Sequence, residues 1–209
     1  MAVAGAGIGC AMSAVVVPER LPGAPADRQS IGAWGMMLFI ATEAAFFCQL
    51  LFSYFYLASI APGAWPPDGA PQLGLVLPNT GLLLLSSGTM WWAERGIRQG
   101  KAWQLRSGLL FTFILGAMFL GIQVVEYRHQ HFTPASHAYG SLFFTITGIH
   151  GLHVALGLVM NLYVQLLAWR RHVTPARHLA VSNVAWYWHF VDLVWIVVFT
   201  GLYLAPNLR

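Results

Sequence analysis

Ala185-Trp186-Tyr187-Trp188-His189-Phe190-Val191-Asp192-Leu193-Val194-Trp195 sets a histidine and an aspartate inside a run that is otherwise apolar enough to lie in a bilayer. An ionisable side chain at the centre of a membrane helix costs at least ~2.5–3.5 kcal/mol on insertion scales, so it faces protein, water or a partner rather than lipid. Two further intrusions have the same character: Glu43 within Phe39–Leu57, and His150 with His153 within Tyr139–Trp169. A chain that repeats this pattern is more than a membrane anchor.

The composition agrees. Hydrophobic residues make up 57% of the 209 and charged residues 9%, with a mean hydropathy of +0.62. Soluble domains carry about 25% charged residues, so this chain is built for lipid. Its net charge of +4 comes from loop arginines. No basic patch with interleaved aromatics is present, which argues for membrane topology and against a nucleic-acid partner. Cys10 and Cys48 form neither a disulfide framework nor a zinc motif. The apolar stretch Ala2–Val17 lacks a basic leading region, so neither a signal peptide nor a lipoprotein-type cleavage before Cys10 is expected.

About 20 apolar residues cross the ~30 Å hydrocarbon core. Five spans can be drawn, near Ile31–Ile60, Leu73–Trp92, Leu105–Tyr127, Tyr139–Trp169 and Asn183–Leu204. The breaks are chemical: Ala61-Pro62-Gly63-Ala64-Trp65-Pro66-Pro67-Asp68-Gly69, Thr133-Pro134 and Thr174-Pro175 cannot continue a helix. Pro78 should bend or delay the second span. The expected fold class is an all-α polytopic transmembrane bundle, with residues 1–30 as an inner tail and 31–209 as one five-helix domain. With five spans, Arg20, Arg28, Arg95, Arg98, Lys101, Arg106, Arg170, Arg171 and Arg177 share one side, and Arg128 and Arg209 the other. Nine cations against two predicts the N-terminus inside and the C-terminus outside.

Each buried polar group has a structural and a functional reading. Glu43 is either a proton-exchanging or lipid-binding carboxylate, or a protonated carboxyl that hydrogen-bonds to a neighbouring helix. His150 and His153, at i and i+3, share one helix face. A metal reading would need further ligands, for which Glu43 and Glu126 are the right residue types, but nothing in the sequence shows that they converge. Gly148 and Gly151 suggest a close helix–helix approach there. His189 and Asp192 repeat the i, i+3 spacing and are expected to satisfy each other. Glu126, beside Tyr127 and Arg128 at the end of a span, is expected near the interface, where a salt bridge or snorkelling is cheap. His129, His131 and His137 lie in the loop after it, and Trp91, Trp92, Trp169 and Trp186 read as an interfacial belt. No residue is assigned a catalytic, cofactor-binding or metal-ligating role.

Several blocks, in this order, carry a resemblance: Leu38-Phe39-Ile40-Ala41-Thr42-Glu43-Ala44-Ala45-Phe46-Phe47; Trp65-Pro66-Pro67 with Pro78-Asn79-Thr80; Gln123-Val124-Val125-Glu126-Tyr127 with Phe132-Thr133 and Tyr139-Gly140-Ser141; Thr147-Gly148-Ile149-His150-Gly151-Leu152-His153-Val154; and Trp186-Tyr187-Trp188-His189-Phe190-Val191-Asp192. Together they resemble subunit III of the haem–copper terminal oxidases, over about Gly32 to Leu204. The resemblance implies an all-α membrane subunit without a redox centre of its own. It would sit beside subunit II and the catalytic subunit I, which hold the copper and haems. It would bind phospholipid, support proton delivery, and protect its partner from inactivation during turnover. The resemblance further implies a short five-helix form in a bacterial inner (plasma) membrane, the longer members having two more helices at the start. Electrons would reach the complex from cytochrome c or a quinol.

The sequence departs from the family pattern at Ser182, where many members carry a glutamate, at Ala33, where some carry an arginine, and at Ser136, in place of an acid. Two other readings share these features: an accessory subunit of a nitric oxide reductase, and an independent proton-conducting transporter using Glu43, His150, His153 and Asp192.

Overall fold

The computed structural model describes residues 31–67, 69, 71, 73–175 and 177–208. The expected inner tail, with Arg20 and Arg28, lies outside them, as does Arg209. Five long helices run α1 Ile31–Ile60, α2 Leu73–Arg98, α3 Ala102–His129, α4 Ala138–Trp169 and α5 Leu179–Phe199. A π turn, Thr200–Leu204, and a short α6, Ala205–Asn207, prolong α5. All five long helices are apolar enough to cross a membrane. The protein is therefore a multi-pass all-α membrane protein.

The helices outrun the expected spans where their ends reach polar residues. α2 continues through Arg95 to Arg98, and α5 starts four residues before Asn183. Interfacial polar residues end the apolar run before they end the helix. α2 also runs unbroken through Pro78, which lies in its second turn, close to where the first N–H groups lack helical partners in any case.

Four helices close on one another: α2 packs on α3 and α5, and α4 packs on α3 and α5. α1 lies against α4 and α5, with only Ala33, Phe47 and Tyr54 buried. The rest of α1 exposes Trp34, Leu38, Phe52 and Tyr56, as a lipid-facing helix does. The link after α1 crosses one end of the bundle, where Trp65 meets Tyr54 and Tyr139 edge-on at 5.8 and 5.5 Å.

Two tryptophans of α5, two turns apart, form the axis of the core. The Trp188 indole donates from Nε1 to Ser86 Oγ (3.0 Å), and Trp195 donates to Thr80 Oγ1 (3.0 Å). A Cβ on Gly116 would stand 2.7 Å from Trp188 Cη2, and one on Gly157 2.8 Å from its Cε3. The large ring fits only because α3 and α4 present bare backbone to it. Close approach thus falls at Gly116 and Gly157. Gly148 and Gly151, where the sequence suggested it, have no neighbour nearer than 3.8 Å. α2 and α3 are stitched similarly, by Thr89 to Thr112 (2.7 Å) and by Gly108 against Ala93.

Cross-helix hydrogen bonds at both ends complete the bundle. At one end, Asn183 Nδ2 donates to the Gly32 carbonyl (3.2 Å). At the other, Asn207 Nδ2 donates to that of Pro71 (3.0 Å).

Candidate functional site

Glu43, twelve residues after the start of α1, meets His153 of α4. Glu43 Oε2 lies 2.9 Å from His153 Nε2, with the side chains 23% and 14% exposed. The other ring nitrogen, Nδ1, lies 2.8 Å from the Ile149 carbonyl, which can only accept, so Nδ1 carries a proton. Nε2 then either accepts from a protonated Glu43 or, in an imidazolium, donates to an ionised one. Both forms are neutral overall and differ by one proton moved along the Nε2–Oε2 line. The pair is held in place: Tyr187 donates to the His153 carbonyl (3.2 Å), and Phe47 meets the imidazole edge at 5.0 Å.

His150, one turn away, does not join this pair. It is fully buried, stacked on Trp195 at 4.8 Å and edged by Phe119 at 6.0 Å, and neither ring nitrogen has a hydrogen-bond partner among the described residues. The two histidines lie on one side of α4 but look into different surroundings, one toward α1 and one toward the core.

His189 and Asp192 do not satisfy each other directly. His189 Nδ1 lies 2.7 Å from Ser87 Oγ of α2, whereas Asp192, 4% exposed, has no hydrogen-bond partner for either carboxylate oxygen among the described residues. The i, i+3 spacing gives a shared face, but there His189 meets the Ser87 hydroxyl of α2 and not Asp192. Ser86 and Ser87 therefore receive both Trp188 and His189. Nothing in an apolar run marks two serines as that receiver.

Glu126, three residues before the end of α3, turns inward instead of snorkelling to solvent: it is 3% exposed, and Oε1 accepts from Tyr203 (2.9 Å) and Gln130 (3.4 Å). Tyr203 reaches it from the π turn, a deviation that recurs at functional positions in membrane and soluble helices alike. Gln123, three residues before Glu126, is also buried. Nearby, Tyr127 donates to Thr147 (2.8 Å), which ties α3 to α4.

Other polar groups are structural. His137 caps α4 by accepting from the Gly140 N–H (2.8 Å), and His129 Nδ1 bonds the Val125 carbonyl (2.8 Å). Trp91 and Trp169 are exposed, as a belt requires, whereas Trp92 and Trp186 are half-buried. Among the described residues no three His, Cys, Asp or Glu side chains converge as metal ligands. Several buried polar groups escaped the sequence reading, among them Glu94, paired with Arg98 at 2.7 Å, and Asn161, fully buried in mid-α4. A polar side chain inside an apolar run was the available signal for Asn161.

A family model described as cytochrome c oxidase subunit III matches residues 24–206. The chain belongs to the cytochrome c oxidase subunit III family. Proteins named cytochrome c oxidase subunit 3 from Gallus gallus and Cyprinus carpio are each 39% identical to it over 178 residues. That alignment covers 81% of this chain and 68% of each relative. The one from Gadus morhua is 40% identical over the same shares. The blocks that carried the resemblance to subunit III all fall within the matched residues. The fold joins several of them by hydrogen bonds: the block around Glu43 to that around His153, and the latter also to Tyr127 and Tyr187.

Proposed function

We propose that this chain is the non-catalytic subunit III of a proton-pumping haem–copper terminal oxidase. In this reading it packs against the catalytic subunit I and subunit II in a bacterial plasma membrane, with its N-terminus inside and its C-terminus outside. Oxygen reduction takes place in those partners, with cytochrome c as electron donor, in keeping with the name its relatives bear. This chain stabilises subunit I, supports proton uptake and holds phospholipid.

The observation that carries the reading is the family match across 24–206, together with the Glu43–His153 bond inside the bilayer-spanning part. Buried polar groups in lipid are retained only where they are satisfied, and this pair satisfies itself while keeping one movable proton. A group of that kind suits a subunit that serves a neighbour's proton chemistry.

The test uses two variants in the intact assembly. Glu43→Gln keeps a donor for Nε2 but has no proton to exchange. Glu43→Ala removes both the bond and the proton. Glu43→Gln is expected to leave assembly and haem spectra unchanged and to shorten the time to inactivation during turnover. Glu43→Ala is expected to add a loss of subunit association. Unchanged inactivation kinetics in both variants would contradict the proton role.

A further inference from the structure

α1 is held along one edge only. Its buried residues, Ala33, Phe47 and Tyr54, mark the stripe that meets α4 and α5. Gly35, Gln49 and Tyr56 each follow one of them by two positions, about 200° round a helix of 3.6 residues per turn, and so lie on the far side. Thr42 completes the series, in which Gly35, Thr42, Gln49 and Tyr56 recur every seven residues. Leu38, Ala45 and Phe52 fall between them, in the alternating three-and-four spacing of a helix-pairing seam. Every one of these residues is exposed.

Most of this surface suits lipid, but Gln49 does not. It stands about 5 Å along the axis from the midpoint of the 30-residue α1, within the ~30 Å hydrocarbon core. The hydroxyls of Thr42, Ser53 and Ser59 turn back on α1 itself, to the carbonyls of Phe39 (2.7 Å), Gln49 (2.9 Å) and Tyr56 (2.7 Å). The Gln49 side chain does not: its amide forms no hydrogen bond with the described residues. Acyl chains offer neither donor nor acceptor, and amide side chains in membrane helices bond across to a neighbouring helix. The exposed amide therefore points to a polar partner on another helix at the same depth.

We propose that this face of α1 is a self-association surface, and that its partner is α1 of a second copy of this chain. Two copies in one membrane share one orientation, so their α1 helices pair in parallel about a two-fold axis along the membrane normal. That symmetry sets each seam residue beside its own counterpart. An amide is its own complement, with a carbonyl that accepts and an NH2 that donates, so the two Gln49 side chains satisfy each other. A different chain would need a polar group matched in depth, whereas a second copy carries one at the same level. Gly35 and Ala45 let the backbones approach, and a Cβ on Gly35 would meet no atom of its own chain within 4 Å. One polar residue in an otherwise apolar seam also fixes the register of the pair. The inference is independent of the oxidase reading, since it needs the membrane fold and no oxygen chemistry.

Native Cys48 is exposed and lies one residue, about 100°, off the seam, which makes it an internal control. The intact assembly is oxidised with copper phenanthroline in its native membrane, in three forms of the chain that all carry Cys10→Ser. The first keeps Cys48, the second has Cys48→Ser with Gln49→Cys, and the third has Cys48→Ser with Thr42→Cys. Mass spectrometry identifies the linked products. Disulfides between two copies of this chain are expected through positions 42 and 49, with a yield at least about fivefold above that through Cys48. Thr42→Cys leaves the amide in place, so adding Gln49→Leu to it is expected to lower the yield about fivefold, the effect of one interhelical hydrogen bond. Yields at 42 and 49 no higher than at Cys48, a linked product of any other composition, or a yield unmoved by Gln49→Leu overturns the proposal. The subunit composition and haem spectrum of the same membranes report separately on the oxidase reading.

Discussion

Glu43 and His153 are 110 positions apart and joined by one hydrogen bond. Residue type alone flagged each of them, because an acid or imidazole in an apolar run is conspicuous, but type does not reveal the partner. Spacing along one helix suggested that His150 and His153 act together, and that His189 pairs with Asp192. In both cases a second helix changed the outcome, through Glu43 of α1 and Ser87 of α2. Local spacing fixes which face a side chain occupies, while the group met on that face is set by non-local packing. A double-mutant cycle on His153→Leu and Glu43→Ala, read by subunit retention against temperature, is expected to give a coupling of about 1–3 kcal/mol. Additive effects would mean that the bond contributes nothing. Tyr203→Phe removes the Glu126 Oε1 donor in a fully buried setting and is expected to cost about 1–3 kcal/mol.

Among the elements, α1 and α5 show what an apolar pattern can and cannot give. The end of α1 at Ile60 was legible, because Ala61-Pro62-Gly63 stops a helix by backbone chemistry. The start of α5 was not: the polar Ser182-Asn183 pair reads as its edge, yet the helix begins a turn earlier at Leu179 and carries both residues inside it. The π turn at Thr200–Leu204 leaves no mark in the sequence, yet it carries Tyr203 to Glu126. Close packing was expected at Gly148 and Gly151, and it falls instead at Gly116 and Gly157, which the sequence did not single out. What separates them is the presence of a Trp188 ring opposite, which no single-helix pattern contains. Gly157→Leu should force that ring aside and lower stability by about 1–3 kcal/mol, measured by denaturant or thermal unfolding in detergent. Trp188→Phe, which removes the Ser86 hydrogen bond and little volume, should cost about 1 kcal/mol.

For the whole molecule, five spans are an odd number, so in the proposed topology the two ends of the described bundle face opposite sides of the membrane. Among the described residues Arg95, Arg98, Lys101, Arg106, Arg170, Arg171 and Arg177 gather at one end of the bundle, and Arg128 lies at the other. That asymmetry underlies the proposed orientation. In a background with Cys10→Ser and Cys48→Ser, a cysteine at Lys101 should resist an impermeant maleimide in intact cells, and one at His131 should react. The reverse labelling would invert the topology. The number of spans and the family were both legible in the sequence, since each rests on long-range order of blocks rather than on any one contact. The central claim is that this bundle serves the oxygen chemistry of neighbouring chains. Its most direct test is purification of the native assembly in mild detergent, followed by identification of its chains and its visible spectrum. A large haem-bearing subunit in stoichiometric amount, with oxidase activity in the assembly and none in the isolated chain, is the predicted result. Recovery of this chain alone, conducting protons in liposomes or wrapped around its own prosthetic group, would contradict it.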